Sequence, residues 1–278
     1  MDTEVFAPYE GMTPHLFTAG APGLPFYLSE PARASAEYAM FLASTPLLAA
    51  LPRGDGHPVL VLPGMLATDS STFLLRWVLR ALGYPVKGWL LGRNVGPTER
   101  VVRGMRHRIH DMTDRHGRGV TVIGWSLGGI FARNLARRFP DDIRQVITLG
   151  SPFRLAQRNQ TRAHRIFERY SHMHVEQWQL PLEHPEETIA APRTSIYSRL
   201  DGIVSWRACL DDVTPTSENV EVLASHLGLG HHPAVVWAVA DRLAQPEGGW
   251  QPFRAPLLLM PAFPTPARPP AGQPRSAS

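Results

Sequence analysis

Two periodicities alternate along the middle of the chain. Short unbroken apolar runs, Val59-Leu60-Val61-Leu62 and Thr121-Val122-Ile123 among them, are followed by longer stretches whose apolar positions recur every three to four residues. The first pattern predicts strands covered on both faces, and the second predicts amphipathic helices. Taken in order, Pro58 to Pro63 reads as a strand and Thr68 to Leu82 as a helix closed by Gly83. Val86 to Leu91 reads as a strand, and Thr98 to His116 as a helix closed by Gly117. Val120 to Gly124 is a strand that runs through Trp125-Ser126-Leu127-Gly128-Gly129 into a helix ending near Phe139-Pro140. Ile143 to Leu149, Arg193 to Ser198 and Val220 to Leu223 are further strands, and Pro233 to Leu243 is the closing helix. Strands that alternate with helices of this length predict parallel pairing through right-handed crossovers, an α/β class.

The rhythm fails in three places. Residues 1 to about 30 hold Pro8, Pro14, Pro22 and Pro25 and are expected to form an irregular arm. A helix follows from Pro31 to Leu51, with Ser29 as its cap and Pro31 in its first turn. Residues 153–191 hold no convincing strand. Arg154 to about Met173 has a helical period, so the span is expected to be a helical insertion. From Gln245 the chain is rich in proline and is expected to be disordered, apart from a docking run at Leu257-Leu258-Leu259-Met260. The division is therefore 1–54 as arm and helix, 55–244 as the α/β domain, and 245–278 as tail.

Composition narrows the function classes. A chain of 278 residues with 44% hydrophobic content can bury a large core. The net charge of +4 comes from 28 Lys+Arg against 24 Asp+Glu, too small and dispersed an excess to predict nucleic-acid binding. Cys209 is the single cysteine, so neither an internal disulfide nor a cysteine-built metal site is expected. The acidic start, Met1-Asp2-Thr3-Glu4, does not read as a secretory signal, and no apolar run is long enough to span a membrane. The expected location is the cytoplasm.

Chemistry concentrates where strand meets helix. Gly124-x-Ser126-x-Gly128 places a serine on a turn so sharp that its neighbours two residues away must be small. The hydroxyl is thereby exposed at the C-terminal end of a strand, over the positive end of a helix. Serine is a weak nucleophile until a base takes its proton and an acid fixes that base. In a parallel sheet all three belong at C-terminal strand ends. Asp201 lies just beyond one strand and is the candidate acid. Asp211 and Asp212 lie farther on, and Asp141 and Asp142 precede a strand at the wrong end. His226 lies three residues past the last strand and is the candidate base, with His231 as its rival. His232 precedes Pro233 and suits a helix start. An oxyanion needs preset N–H donors, each worth roughly 3–4 kcal/mol. Leu127 is one candidate. The other is Met65 in Leu62-Pro63-Gly64-Met65-Leu66, with Leu66 next, and Arg93 or Asn94 is placed to brace that loop or simply to cap a turn.

Gly124-Trp125-Ser126-Leu127-Gly128, then Asp201, then His226, in that chain order, resembles an α/β-hydrolase, and the Pro63-Gly64-Met65 turn resembles the oxyanion loop of lipase and esterase members, where His-Gly is more usual. The resemblance covers about residues 55 to 244. It implies a mostly parallel sheet of about six strands flanked by helices, with residues 153–191 as lid. It also implies a cofactor-free hydrolase of carboxylic esters acting through an acyl-enzyme on a small-molecule or lipid ester. Acyl transfer or thioesterase action on the same residues, and a catalytically silent binding protein, are the alternatives. Within the insertion, Arg154, Arg158, Arg162, Arg165 and Arg169 recur at helical spacing. They form either a solvated basic face or a face for peripheral contact with anionic membrane lipid.

Overall fold

The computed structural model describes residues 20–155, 160–175 and 188–264. Its centre is a six-stranded parallel sheet in the order β2-β1-β3-β4-β5-β6, formed by β1 (Val59–Leu62), β2 (Val86–Gly88), β3 (Val120–Trp125), β4 (Ile143–Leu149), β5 (Arg193–Tyr197) and β6 (Ser217–Glu221). Every residue of β1, β3 and β4 is buried, as expected of strands covered on both faces. The register runs Leu62 beside Gly124 and Trp125 beside Leu149, so the C-terminal ends of β1, β3 and β4 meet at one rim.

Helices cover both faces. On one side α1 (Leu24–Ser44), α2 (Phe73–Ala81) and α6 (Pro233–Ala244) close over Val59, Val61, Ile123, Ile147, Ile196 and Val220. On the other, α3 (Glu99–His116) and α4 (Leu127–Arg138) pack Met105, Ile109, Phe131 and Leu135 against Leu60, Leu62, Val120 and Val122. The alternate residues of each strand thus feed two separate cores. Helix α3 carries the ends its sequence predicts. Thr98 Oγ1 accepts the Val101 N–H at 3.3 Å, and Gly117 closes the helix in the left-handed conformation at φ 61°.

Four expectations are corrected. The first helix starts at Leu24, with Pro25 in its first turn. Pro31 lies inside the helix, and Ser29 is not its cap. The helical period from Arg154 does not make one helix: α5 (His164–Arg169) has six residues, and part of the span lies outside the described residues. Arg154 pairs with Asp212, while Arg162 precedes α5 and donates to the Pro22 carbonyl at 2.6 Å, so the arginines share no single helix face; Arg158 lies outside the described residues. The last strand starts three residues earlier than expected, at Ser217. Finally, residues 245–264 of the tail are ordered against the domain, with Phe253 and Phe263 in the core shared by α6.

Candidate active site

The turn between β3 and α4 has the predicted strain. Ser126 sits at φ 53°, ψ −121°, a region that costs a side-chain-bearing residue of order 1–3 kcal/mol. A β-carbon on Gly128 would lie 2.5 Å from the Leu62 carbonyl oxygen, and one on Gly124 would overlap the Gly128 backbone, so both positions require glycine. Ser126 is the one residue from Val120 to Arg133 that is not buried. The strained turn therefore lifts this side chain, and no other of the segment, out of the core.

Asp201 and His226 meet directly. His226 Nδ1 lies 2.6 Å from Asp201 Oδ2, and both side chains are buried. The other carboxylate oxygen, Oδ1, accepts the N–H groups of Ile203 at 2.8 Å and Val204 at 2.7 Å, which fixes the acid's rotamer. Burial alone pushes the His226 pKa down. The charge of Asp201, its hydrogen bond and the charge of Glu30 outweigh burial, and the imidazole titrates above its ordinary value.

Chain neighbours of the serine's turn contact both groups. Ser126 N–H donates to the Leu149 carbonyl at 2.8 Å. A β-carbon on the next residue, Gly150, would stand 3.2 Å from His226 Nδ1 and 3.3 Å from Asp201 Oδ2. Trp125, directly before the serine, donates its indole N–H to the His226 carbonyl at 3.1 Å. Among the described residues no hydrogen bond joins Ser126 Oγ to His226 Nε2, and such bonds often tighten only with substrate present.

The loop after β1 lies against the serine as well: a β-carbon on Gly64 would be 3.2 Å from Ser126 Cβ. Leu66 N–H donates to the Asn94 carbonyl at 2.7 Å, so the loop's second candidate donor is committed to structure, and Met65 N–H has no protein acceptor among the described residues. Asn94, fully buried, braces this loop. Its Nδ2 donates to the Pro63 carbonyl at 2.8 Å, its N–H to the Ala67 carbonyl at 2.9 Å, and its Oδ1 accepts from Gly96 N–H at 3.2 Å.

The rival residues are engaged elsewhere. His231 Nε2 lies 3.1 Å from the Ala34 carbonyl of α1, and His232 caps α6 through Nδ1. Asp211 is paired with Arg133 and Arg193, and Asp212 with Arg154. The part of the insertion within the described residues contacts two loops that follow strands. Thr161 bridges Val204 beyond the acid, and Val175 N–H donates to the Pro97 carbonyl at 3.0 Å on the far side.

Sequence reasoning missed two residues, both on α1. Glu30 and Glu37 are buried, and their carboxylates accept backbone N–H groups from the acid and base loops. A signal existed: over residues 24–50 the only charged positions are Glu30, Arg33 and Glu37, and the two acids stand seven residues apart, on one helix face.

A family model described as "PGAP1-like alpha/beta domain" matches residues 92–226, from the Asn94 loop to His226. No curated protein matches the chain. Among solved structures, lipase B of Aspergillus fumigatus is 16% identical and superposes with a TM-score of 0.52 over 73% of this chain and 58% of the lipase. The chain thus spans little more than half the length of that relative. Naproxen esterase from Bacillus subtilis, at 15% identity, covers 76% of this chain and 96% of the esterase with a TM-score of 0.44. The parallel sheet, its strand order and the serine elbow between β3 and α4 give this chain the α/β-hydrolase fold.

Proposed function

We propose that the chain is a serine hydrolase of carboxylic esters. The observation that carries this reading is the conjunction of a half-buried serine on a strained elbow with a buried Asp201–His226 pair whose loops meet the same strand ends. In this reading the Asp201 carboxylate holds Nδ1–H of His226, which leaves Nε2 as the basic nitrogen. Ser126 Oγ loses its proton to Nε2 as it attacks the ester carbonyl. The tetrahedral oxyanion is held by the N–H groups of Met65 and Leu127, and Asn94 keeps Met65 in place by tying down both flanks of its loop. Collapse expels the alcohol with the proton from His226, and water repeats the sequence on the acyl-enzyme. In this reading the described part of the insertion, which contacts the Val204 and Pro97 loops, serves as the lid. A small-molecule or lipid ester is the substrate class.

Reaction with a fluorophosphonate probe, with p-nitrophenyl esters of graded acyl length, tests this. Wild-type protein should label at Ser126 and release nitrophenol. Ser126→Ala should neither label nor turn over, with its melting temperature retained; the loss should be several powers of ten. Persisting turnover in a clean Ser126→Ala preparation overturns the proposal.

A further inference from the structure

Helix α1 lies far from the acid and base in sequence, yet its two acids are spent on the loops that carry them. Glu30 is 1% exposed. Its Oε1 accepts the N–H of Gly202, the residue after the acid, at 2.7 Å, and the N–H of His226 itself at 3.0 Å. Its Oε2 accepts the Leu227 N–H at 3.0 Å. Two turns along, Glu37 accepts the Ser225 N–H at 2.7 Å and the Ser225 hydroxyl at 2.6 Å. Three consecutive N–H groups of the base loop therefore point at carboxylates of one helix. Arg33 completes the junction, donating to Glu30 Oε1 at 2.9 Å and to the Leu200 carbonyl, just before the acid, at 2.8 Å.

We propose that Glu30 is a positioning residue of this site: one carboxylate grips the peptide that follows Asp201 and the peptide of His226 together, and so sets the distance between acid and base. The inference rests on the reading of Asp201 and His226 given above. The chemistry favours this role over plain packing. A buried carboxylate needs several donors to offset its lost hydration, and here those donors come from two loops that meet only at the acid–base pair. Glu37 grips only the base loop and touches neither the acid nor its neighbour, which makes it an internal control. Glu30 also adds its charge to that of Asp201 in holding the His226 titration up. The titratable or charged groups packed around that ring and its loop are Asp201, Glu30, Arg33, Glu37, His231 and, below Asp201, Cys209.

The test follows the His226 imidazole by NMR as pH is varied, in the full chain, alongside kcat and KM for a p-nitrophenyl ester. In Glu30→Gln the His226 titration should move to lower pH, and kcat should fall roughly ten- to a hundredfold while KM changes little, the signature of a misplaced base. Glu37→Gln should leave the titration where it is. Glu30→Asp keeps the charge but shortens the grip, so kcat should fall with only a small titration shift. Arg33→Gln removes the cation beside the same carboxylate, and the titration should rise. A folded Glu30→Gln protein with unmoved titration and wild-type kcat overturns the proposal. If Glu30→Gln does not fold, an unmoved titration in Arg33→Gln overturns it. The NMR readout needs no turnover. A wild-type protein that hydrolyses no ester yet shows the expected shifts refutes the hydrolase reading and leaves the clamp standing.

Discussion

At the scale of single residues, the sequence offers Ser126, Asp201 and His226 as candidates because each occupies a position the proposed chemistry requires: a small-flanked turn, a loop just past a strand, and a loop past the final strand. The choice between His226 and His231 was open in the sequence, since both lie in one loop. The structure separates them physically, turning one ring to a carboxylate at 2.6 Å and the other to a helix carbonyl at 3.1 Å. His226→Ala should therefore remove as much esterase rate as Ser126→Ala, because residues that act as a unit are not additive. His231→Ala should keep most of it, and the reverse ranking in steady-state assays would transfer the base to His231. The raised His226 pKa has a consequence of definite sign. In the proposed mechanism the ring must be neutral to accept the serine proton, so kcat/KM should fall as pH drops through a value above the ordinary histidine range, and Asp201→Asn should move that acid limb downward.

At the scale of elements, β1, β3, β4 and α3 follow from their patterns because an all-apolar strand and a capped amphipathic helix each have one favourable environment. One misreading occurs where burial is achieved by pairing rather than by apolarity. Strand β6 contains buried Ser217, Glu218 and Glu221, and Glu218 is satisfied by Arg242 at 2.8 Å and Thr194 at 2.9 Å, so hydropathy places its start too late. Strand β2, expected to run to Leu91, ends at Gly88, and Leu90 beyond it takes φ 53°, outside any strand conformation. Pairing of the same kind ties the start of β1 to β3. His57, fully buried, lies 2.7 Å from both Asp55 Oδ1 and Thr121 Oγ1. Burial outweighs the carboxylate and lowers the pKa of the His57 imidazole to about 4. Below its ordinary value of 6.5 the unfolded chain takes up a proton that the folded chain refuses, so folding stability must decline as pH falls from about 6.5 to 4. The loss from this one ring reaches about 3 kcal/mol. Urea titrations at pH 8, 6, 5 and 4 should show the decline. His57→Gln, although less stable at pH 8, should show a shallower one; parallel pH dependences would remove His57 as its source.

At the scale of the whole molecule, the segments that seemed peripheral in the sequence turn out to close the domain. Helix α1 reaches the acid and base loops through its carboxylates, and the tail seals the opposite end of the same core. Proline content suggested disorder from Gln245, but proline forbids only regular hydrogen-bonded structure and leaves docking open. Phe253 is 5% exposed and packs its ring 4.8 Å from that of Phe263, with the Arg242 guanidinium 5.5 Å from the Phe253 ring centre. Phe253 N–H donates to Glu218 Oε2 at 2.6 Å, and the Gln251 carbonyl accepts from Arg242 at 2.5 Å. The tail thus supplies two of the hydrogen bonds that keep the Glu218–Arg242 pair tolerable inside the protein, between β6 and α6. Phe253→Ala removes the ring but keeps the backbone donor, and it should cost about 3–5 kcal/mol as a large-to-small change in a core. Ending the chain after Gly249 removes both aromatic rings and strips Glu218 of its backbone donor, so it should cost more than the point variant. A buried ion pair that loses part of its hydrogen bonding adds its own penalty. Chemical denaturation of the full chain, Phe253→Ala and the truncated chain measures the three stabilities. Equal stability of the full and truncated chains would show that residues 250–264 lie on the domain without supporting it.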